Sequence, residues 1–352
     1  MATYTNYQWI LQKRPEGLIK RSDFEFRESG LRPRTDGECV VKIMYMAMDP
    51  ATRGWMSPGG GYAAPLPLGG PVLGVTIGKV VESRNPQIRE GTVVAGVGEW
   101  GKYMIAGPQQ IASVRAGAHG VLAPMDTSTG HELPMYLHAM GTSGGTAWYG
   151  LFDVAGMKAG DRVLVSGATG SVGQLVTQMA KLKGAAKVVG IAGGAAKCAE
   201  AVRHYGCDAC IDYKATKDVS AAIGREFPEG LDVYFDNVGG DILEAALDHL
   251  AKRARVAICG MISRYNDSAA SPGPKNLWNL LVHTARIEGF LVSDWFGTPG
   301  SEDAYLQISD WLKQGRLEAK LDIRTDFDKV PDVFNLLFTG GNDGRLVVKV
   351  PD

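Results

Sequence analysis

Val163-Leu-Val-Ser-Gly167-Ala-Thr-Gly170-Ser-Val-Gly173-Gln174 is the stretch that decides the fold of this chain. An apolar strand runs straight into Gly-x-x-Gly-x-x-Gly. Val172, Leu175, Val176, Met179 and Ala180 then recur at helical spacing. Each glycine has a separate task. Gly167 permits the tight turn, Gly170 lets backbone N–H groups approach a diphosphate, and Gly173 lets the helix pack close to its strand. The anion then lies on the helix N-terminus, where unpaired N–H groups and the dipole favour negative charge. The Gly-Lys-Ser/Thr of a P-loop is missing, and Gln174 stands in the matching region.

Downstream, short apolar runs alternate with helical patterns. Strands are expected at Val163 to Val165, Val188 to Ile191, Ala209 to Asp212, Leu231 to Phe235, Arg255 to Cys259 and Arg286 to Val292. Helices are expected at Asp241 to Leu250 and Asn276 to Thr284. This alternation predicts an α/β fold, a doubly wound parallel sheet of the Rossmann type. Upstream, Cys39 to Met46, Val75 to Glu82, Thr92 to Val97 and Gln110 to Val114 read as strands of a β-rich region. Between the first two lies Gly54 to Gly74, dense in Gly and Pro, which reads as a long functional loop without a helix. The tail carries helices near Asp303 to Gly315 and Val330 to Phe338, then a strand, Arg345 to Val350, expected to return to the β-rich region. The boundaries predicted are 1–127 for the β-rich domain, 128–298 for the dinucleotide domain and 299–352 for the return.

The end of the second Rossmann strand selects the cofactor. An NAD enzyme usually places Asp or Glu there to hold the ribose 2′-hydroxyl. Here the strand ends Gly190-Ile-Ala-Gly193-Gly194-Ala-Ala-Lys197, with a cation and no acid, which predicts NADPH.

Composition narrows the class. The 352 residues suffice for two domains, and 45% hydrophobic with 21% charged residues suits packed cores. Lys plus Arg is 37 against 38 Asp plus Glu, without the basic surplus of a nucleic-acid protein. No continuous apolar run is long enough for a transmembrane helix, and Met1 to Arg14 lacks a signal-peptide core, so the expected address is the cytosol. Of the five cysteines, Cys207 and Cys210 form a C-x-x-C pair, read as small apolar fillers. The six histidines show no metal-like clustering.

Several further motifs carry a resemblance. They are Asp49-Pro50 with Arg53, Val80-Val-Glu-Ser-Arg-Asn85, Gly141-Thr-Ser-Gly-Gly-Thr-Ala-Trp-Tyr-Gly150, Asp236-Asn-Val-Gly-Gly240, Cys259-Gly-Met-Ile-Ser-Arg-Tyr-Asn266 and Gly289-Phe-Leu-Val292, with Asn342 to Lys349 at the end. Over almost its whole length the chain resembles the zinc-independent medium-chain dehydrogenase/reductases, in the leukotriene B4 dehydrogenase, prostaglandin reductase and alkenal double-bond reductase group, curcumin reductase-like enzymes included. The resemblance implies a Rossmann domain inserted in a GroES-like β-rich substrate domain, and a homodimer joined at the Rossmann edge. It implies that Gly167, Gly170, Ser171, Val172 and Gly173 hold the diphosphate, that Lys197 and Tyr213 hold the 2′-phosphate, and that Asn237 meets a ribose. Cys259, Gly260, Ile262, Ser263 and Tyr265, with Phe290, Leu291 and Val292, would flank the nicotinamide half, and Asn342 would close over it. One departure is that this chain reads Gly193-Gly-Ala-Ala-Lys197 where relatives carry Gly-Ser-x-Glu-Lys, so the serine and the acid are missing.

Zinc-dependent relatives carry a Cys after the early strand and a Gly-His-Glu before the next one. Here those places read Met46-Ala-Met-Asp-Pro50 and Gly69-Gly-Pro-Val-Leu-Gly74, and Gly130-His131-Glu132 lies too far downstream. No metal site is therefore expected. What remains is hydride transfer to an electron-poor alkene, which needs positioning and a donor for the enolate oxygen. Tyr265 is the first choice of donor and Tyr62 the second, with Trp55, Met56 and Trp295 as apolar walls for an α,β-unsaturated carbonyl. Quinone reduction and non-catalytic NADPH binding are the rival readings.

Overall fold

Near the start of the chain the strands pair antiparallel. β1 (Thr5–Leu11) and β2 (Phe24–Gly30) form a two-stranded ribbon that buries Trp9, Leu11 and Phe24. β3 (Cys39–Ala47), β4 (Leu73–Ser83), β5 (Val93–Glu99), β6 (Tyr103–Ala106) and β7 (Ala123–Pro124) open a seven-stranded sheet. The structure, a computed structural model, describes residues 4–59, 61, 63–110, 122–267 and 272–352. Tyr62 and most of the strand expected at Gln110 to Val114 lie outside the described residues. The sequence reading does not anticipate β1, β2, β6 or β7. β2 carries Glu25, Arg27 and Glu28, and β6 and β7 are short, so strand pairing rather than local preference makes them. A short helix, α1 (Ala51–Trp55), also takes in the first residues of the Gly/Pro-rich stretch, which was expected to hold none.

The second half of the fold is one parallel sheet. Its strands are β8 (Arg162–Ser166), β9 (Lys187–Ala192), β10 (Ala209–Asp212), β11 (Leu231–Asp236), β12 (Leu250–Ile258) and β13 (Arg286–Gly289). They lie in the order β10-β9-β8-β11-β12-β13, all parallel. That is the doubly wound Rossmann order, and its switch point falls between β8 and β11. Val163, Leu164 and Val165 have no exposed surface, as befits a central strand covered on both faces. The helices are α2 (Thr142–Trp148), α3 (Gly173–Leu182), α4 (Ala195–His204), α5 (Val219–Glu226), α6 (Gly240–Leu247), α7 (Trp278–His283) and α8 (Pro299–Lys313). β14 (Leu321–Arg324), α9 (Val330–Thr339) and β15 (Arg345–Lys349) complete the chain. β15 pairs antiparallel with β3 and parallel with β14, so the tail rejoins the seven-stranded sheet.

Three boundaries differ from expectation for visible reasons. The helix at Asp241 stops at Leu247, because the chain turns at Asp248 and enters β12 at Leu250. The strand from Arg286 ends at Gly289, and Val292–Asp294 form a 3-10 turn. α8 starts at Pro299, whose fixed φ suits the first helical position, although Pro-Gly-Ser reads locally as a loop.

By their internal contacts the residues group as Met1–Leu137 with Leu321–Asp352, and as His138–Lys320. The segment 299–320, expected with the returning tail, groups with the second set. There Tyr305 Oη donates to Gly141 O at 2.8 Å, and Gln178 exchanges hydrogen bonds with the Glu318 backbone at 2.7 and 2.8 Å.

Candidate active site

At the end of β8 the chain turns at Gly167, which has φ +61°. The Gly170 N–H donates to Gly167 O at 2.9 Å, and Ala168 N–H to Ile191 O at 3.1 Å, which ties the turn to β9. A Cβ on Gly173 would collide with the Gly167 carbonyl and stand 2.9 Å from Ala168 Cα. Only glycine allows the helix to begin so close to the strand. α3 has no side-chain N-cap and no acidic residue in its first turn. Its N-terminus, with Ser171 and Val172 leading in, is thus chemically suited to a diphosphate.

The tip of β9 holds a second polar cluster. A Cβ on Gly193 would lie 3.0 Å from both Tyr213 Oη and Lys214 Cε, so those side chains close over a glycine floor. Lys197 sits in the first turn of α4. Asp212 points its carboxylate at the backbone, accepting from Gly194 N–H at 2.8 Å and Lys214 N–H at 3.0 Å. The Gly194 N–H, first among several donors, holds that carboxyl below its usual range. Lys214 was not singled out from the sequence; its position directly after Tyr213 was the available signal.

At the end of β11, across the switch point from the glycine turn, lies Asp236, with no exposed surface. Its Oδ1 accepts from Ser166 Oγ at 2.8 Å, Tyr234 Oη at 2.6 Å, and the Val238 and Gly239 N–H groups at 3.0 Å each. Burial, with the adjacent carboxylate, pushes the Tyr234 phenol far above its ordinary value. Asn237 completes the junction. Its N–H donates to Ser166 Oγ at 2.9 Å and its Nδ2 to Ser166 O at 2.7 Å. The sequence shows Asp236 only as part of a motif; the four donors gathered on its carboxylate make it a hub.

The segment after β12 is laced to the same turn. Cys259 and Gly260 N–H donate to Asp236 O at 2.8 and 3.2 Å, Ile262 N–H to Asn237 O at 3.3 Å, and Ser263 Oγ to Val238 O at 2.6 Å. Desolvation, helped by the Asp236 charge, pushes the Cys259 thiol up to about 12, so it stays protonated. Tyr265 Oη accepts from Met261 N–H at 3.3 Å, which leaves its own proton to be donated elsewhere. Burial raises the Tyr265 phenol above its ordinary value.

Phe290 stands edge-on to Tyr149, with ring centroids 5.5 Å apart at 85°. Leu291 is exposed, and Val292 opens the 3-10 turn. Trp295 departs from its expected place as a cleft wall. It is buried, stacked on Tyr149 at 5.8 Å and 18°, because the rings of Tyr149, Phe296 and Tyr305 enclose it. Met56 departs likewise. It has no exposed surface and belongs to the core around Trp9, Trp100 and Phe334. Trp55 ends α1 half-buried against that core. Asn342 Nδ2 donates to Gly344 O at 3.0 Å, ahead of β15. The motif residues Asp49 and Arg53 prove structural: Asp49 pairs with the buried Arg345, and Arg53 donates to Pro15 O at 2.9 Å and Gly17 O at 3.1 Å. Among the described residues no group of three or more His, Cys, Asp or Glu is placed to hold a metal ion.

Known proteins with this architecture share the sequence as well. Residues 7–114 match the family described as "N-terminal domain of oxidoreductase", and residues 171–312 the family described as "Zinc-binding dehydrogenase". The NADPH-dependent curcumin reductase of Escherichia coli (strain K12) is 33% identical over 350 residues, 98% of this chain and 97% of that one. The chain belongs to the zinc-independent medium-chain dehydrogenase/reductases, in the group of the prostaglandin, alkenal and curcumin reductases. A 2-alkenal reductase (NADP(+)-dependent) of Nicotiana tabacum is 35% identical over 351 residues, covering 98% of each. The crystal structure of CurA from Vibrio vulnificus in complex with NADPH superposes with a TM-score of 0.85 at 31% identity, over 98% of this chain and 99% of that one. As a member of this oxidoreductase family the chain shares its two-domain fold, and no helix among the described residues is long and apolar enough to cross a membrane.

Proposed function

We propose that this enzyme reduces the carbon–carbon double bond of α,β-unsaturated ketones and aldehydes with NADPH. The observation that carries the reading is the tip of β9. Tyr213 and Lys214 close over a glycine floor, Lys197 lies in the first turn of the following helix, and the acid that ends β10, Asp212, is engaged by backbone N–H groups. That cluster suits a 2′-phosphate and offers a ribose hydroxyl no carboxylate. The uncapped start of α3 and the glycine turn at Gly167 to Gly173 suit the diphosphate. NADPH, when bound, supplies the hydride.

The chain's own residues do the remainder. Asn237 is held rigidly by Ser166, with its side-chain oxygen left to accept from a ribose hydroxyl. The Cys259 to Tyr265 segment is fixed by its bonds to the Asp236 turn and so presents Tyr265 in one orientation. As the β-carbon gains hydride, negative charge collects on the substrate oxygen. The Tyr265 hydroxyl donates to that oxygen and stabilises the enolate. A phenol is protonated at neutral pH, as a donor must be, and burial shifts this one further in the same direction. Phe290, Leu291 and Val292 remain proposed neighbours of the nicotinamide half, and Tyr62, Trp55 and Asn342 proposed contacts for substrate and cofactor.

The proposal includes a homodimer in the cytosol. β13 is an edge strand with all four residues exposed, and the adjacent α7 shows Trp278 at 69% and Leu281 at 66% exposure. A second copy of the same edge would cover both.

A panel of enones and enals assayed with NADPH and with NADH, with product identification, tests the reading. Saturated carbonyl products and a higher kcat/KM with NADPH are expected. Equal or better use of NADH would overturn the cofactor assignment. Turnover of quinones alone, or cofactor binding with no saturated product from any acceptor, would overturn the reaction.

A further inference from the structure

The seven-stranded sheet carries a polar site of its own. Lys42 on β3 stands directly opposite Lys79 on β4. Two ammonium groups in directly opposed cross-strand positions repel each other. A register shift between Ile43 and Tyr45 brings Tyr45 onto the same face, where it stands opposite Lys349 of β15. These side chains, with Thr325 and Asp352, line a cavity of about 480 Å³. Asp352 supplies the one acidic side chain of that lining among the described residues. Lys42 Nζ donates to its carboxylate at 2.6 Å, and Lys102 Nζ to its carbonyl oxygen at 3.0 Å. The Asp352 side chain is fully exposed, so charge and not packing holds it there. Lys42 chiefly, with Lys349 and Lys102 adding to it, holds its carboxyl below the usual range. Neither Lys79 nor Lys349 forms an ion pair among the described residues.

From this opposition of Lys42 and Lys79, with Lys349 and two hydroxyl groups around the same cavity, we infer that this face binds a small phosphate-bearing dianion, and that Asp352 is an internal stand-in which the ligand displaces. The chemistry is that of a phosphomonoester or diphosphate. Three ammonium groups supply charge and rotatable donors, and Tyr45 and Thr325 supply hydroxyl donors. The inference rests on residues of the β-rich region alone and stands or falls independently of the reductase assignment.

Titration of the full chain with inorganic pyrophosphate by calorimetry, at constant ionic strength and with NADP+ present, tests it. One saturable event is expected. Lys79→Gln and Lys349→Gln should each weaken it by about threefold to fivefold, the worth of one partly exposed ion pair. Asp352→Asn should strengthen it by a similar factor, because the internal competitor is removed. Pyrophosphate on the glycine turn would be displaced by NADP+ and indifferent to the lysine variants, so the two sites are distinguishable. Absence of saturable binding, equal affinity in the lysine variants, or weaker binding by Asp352→Asn would each overturn the inference.

Discussion

Asp236 shows how one buried side chain ties together the segments that meet at the end of a sheet. Its carboxylate collects hydroxyl and N–H donors from β8, β11 and the following turn, and the turn in turn carries the Cys259 to Tyr265 segment. Tyr265, the donor proposed above, is thereby held in place. Tyr265→Phe should lower kcat/KM for an enone by about ten- to a thousandfold, with NADPH binding kept, the range expected for loss of one donor to developing charge. Wild-type rates in that variant would remove the hydroxyl from the mechanism. A different residue governs pH dependence. Burial raises the Glu99 carboxyl from 4.5 to about 7, against the opposing effect of the Gln8 amide that donates to it. The folded state therefore keeps a proton that the unfolded chain has already lost, and stability falls as pH rises from 4.5 towards 7, then stays level. Glu99→Gln should abolish that slope and be more stable than wild type at pH 8 by on the order of 2 kcal/mol. Parallel melting curves at pH 5 and pH 8 measure it; an unchanged slope would place the titration elsewhere.

Among the elements, the β8–turn–α3 unit was legible in advance because every requirement is local. Glycines come at the required spacing, with an apolar run before and a helical period after. The six-residue π-helical turn Tyr149–Val154 was not legible, although π-turns often mark functional positions. Within it Gly150 lies against two aromatic rings. A Cβ there would overlap the Phe290 ring and stand 2.7 Å from Phe235 Cε2. Gly150→Ala should thus destabilise the fold by about 1–3 kcal/mol through overpacking. In a Phe290→Ala background the cost should shrink, because the displaced ring is gone. Denaturant unfolding of the four proteins in the cycle measures this; an unchanged cost with Phe290 removed would show that Gly150 does not set that ring.

At the scale of the whole molecule, the exposed apolar surface of α7 beside the open edge of β13 has the character of an interface. Leu281→Lys should convert the proposed dimer to a monomer at micromolar concentration with little change in monomer stability, read by sedimentation. A wild-type monomer under the same conditions would contradict the dimer.

The sequence by itself determined the strands whose residues are apolar on both faces, the glycine turn, the missing acid at the end of β9, and the motifs that carry family membership. All of these are contiguous, and their physics is complete within about ten residues. Tertiary structure alone decided the rest. It drew charged segments such as β2 into pairing, and it kept α8 with the parallel sheet through Tyr305 and the Gln178 amide. It took Met56 and Trp295 into cores, where an apolar side chain gains more from packing than from facing a cleft. It also brought Asp236 to its donors and Lys349 opposite Tyr45, residues whose partners lie far away along the chain. Burial and long-range charge are sums over neighbours, and a linear sequence does not say who the neighbours are.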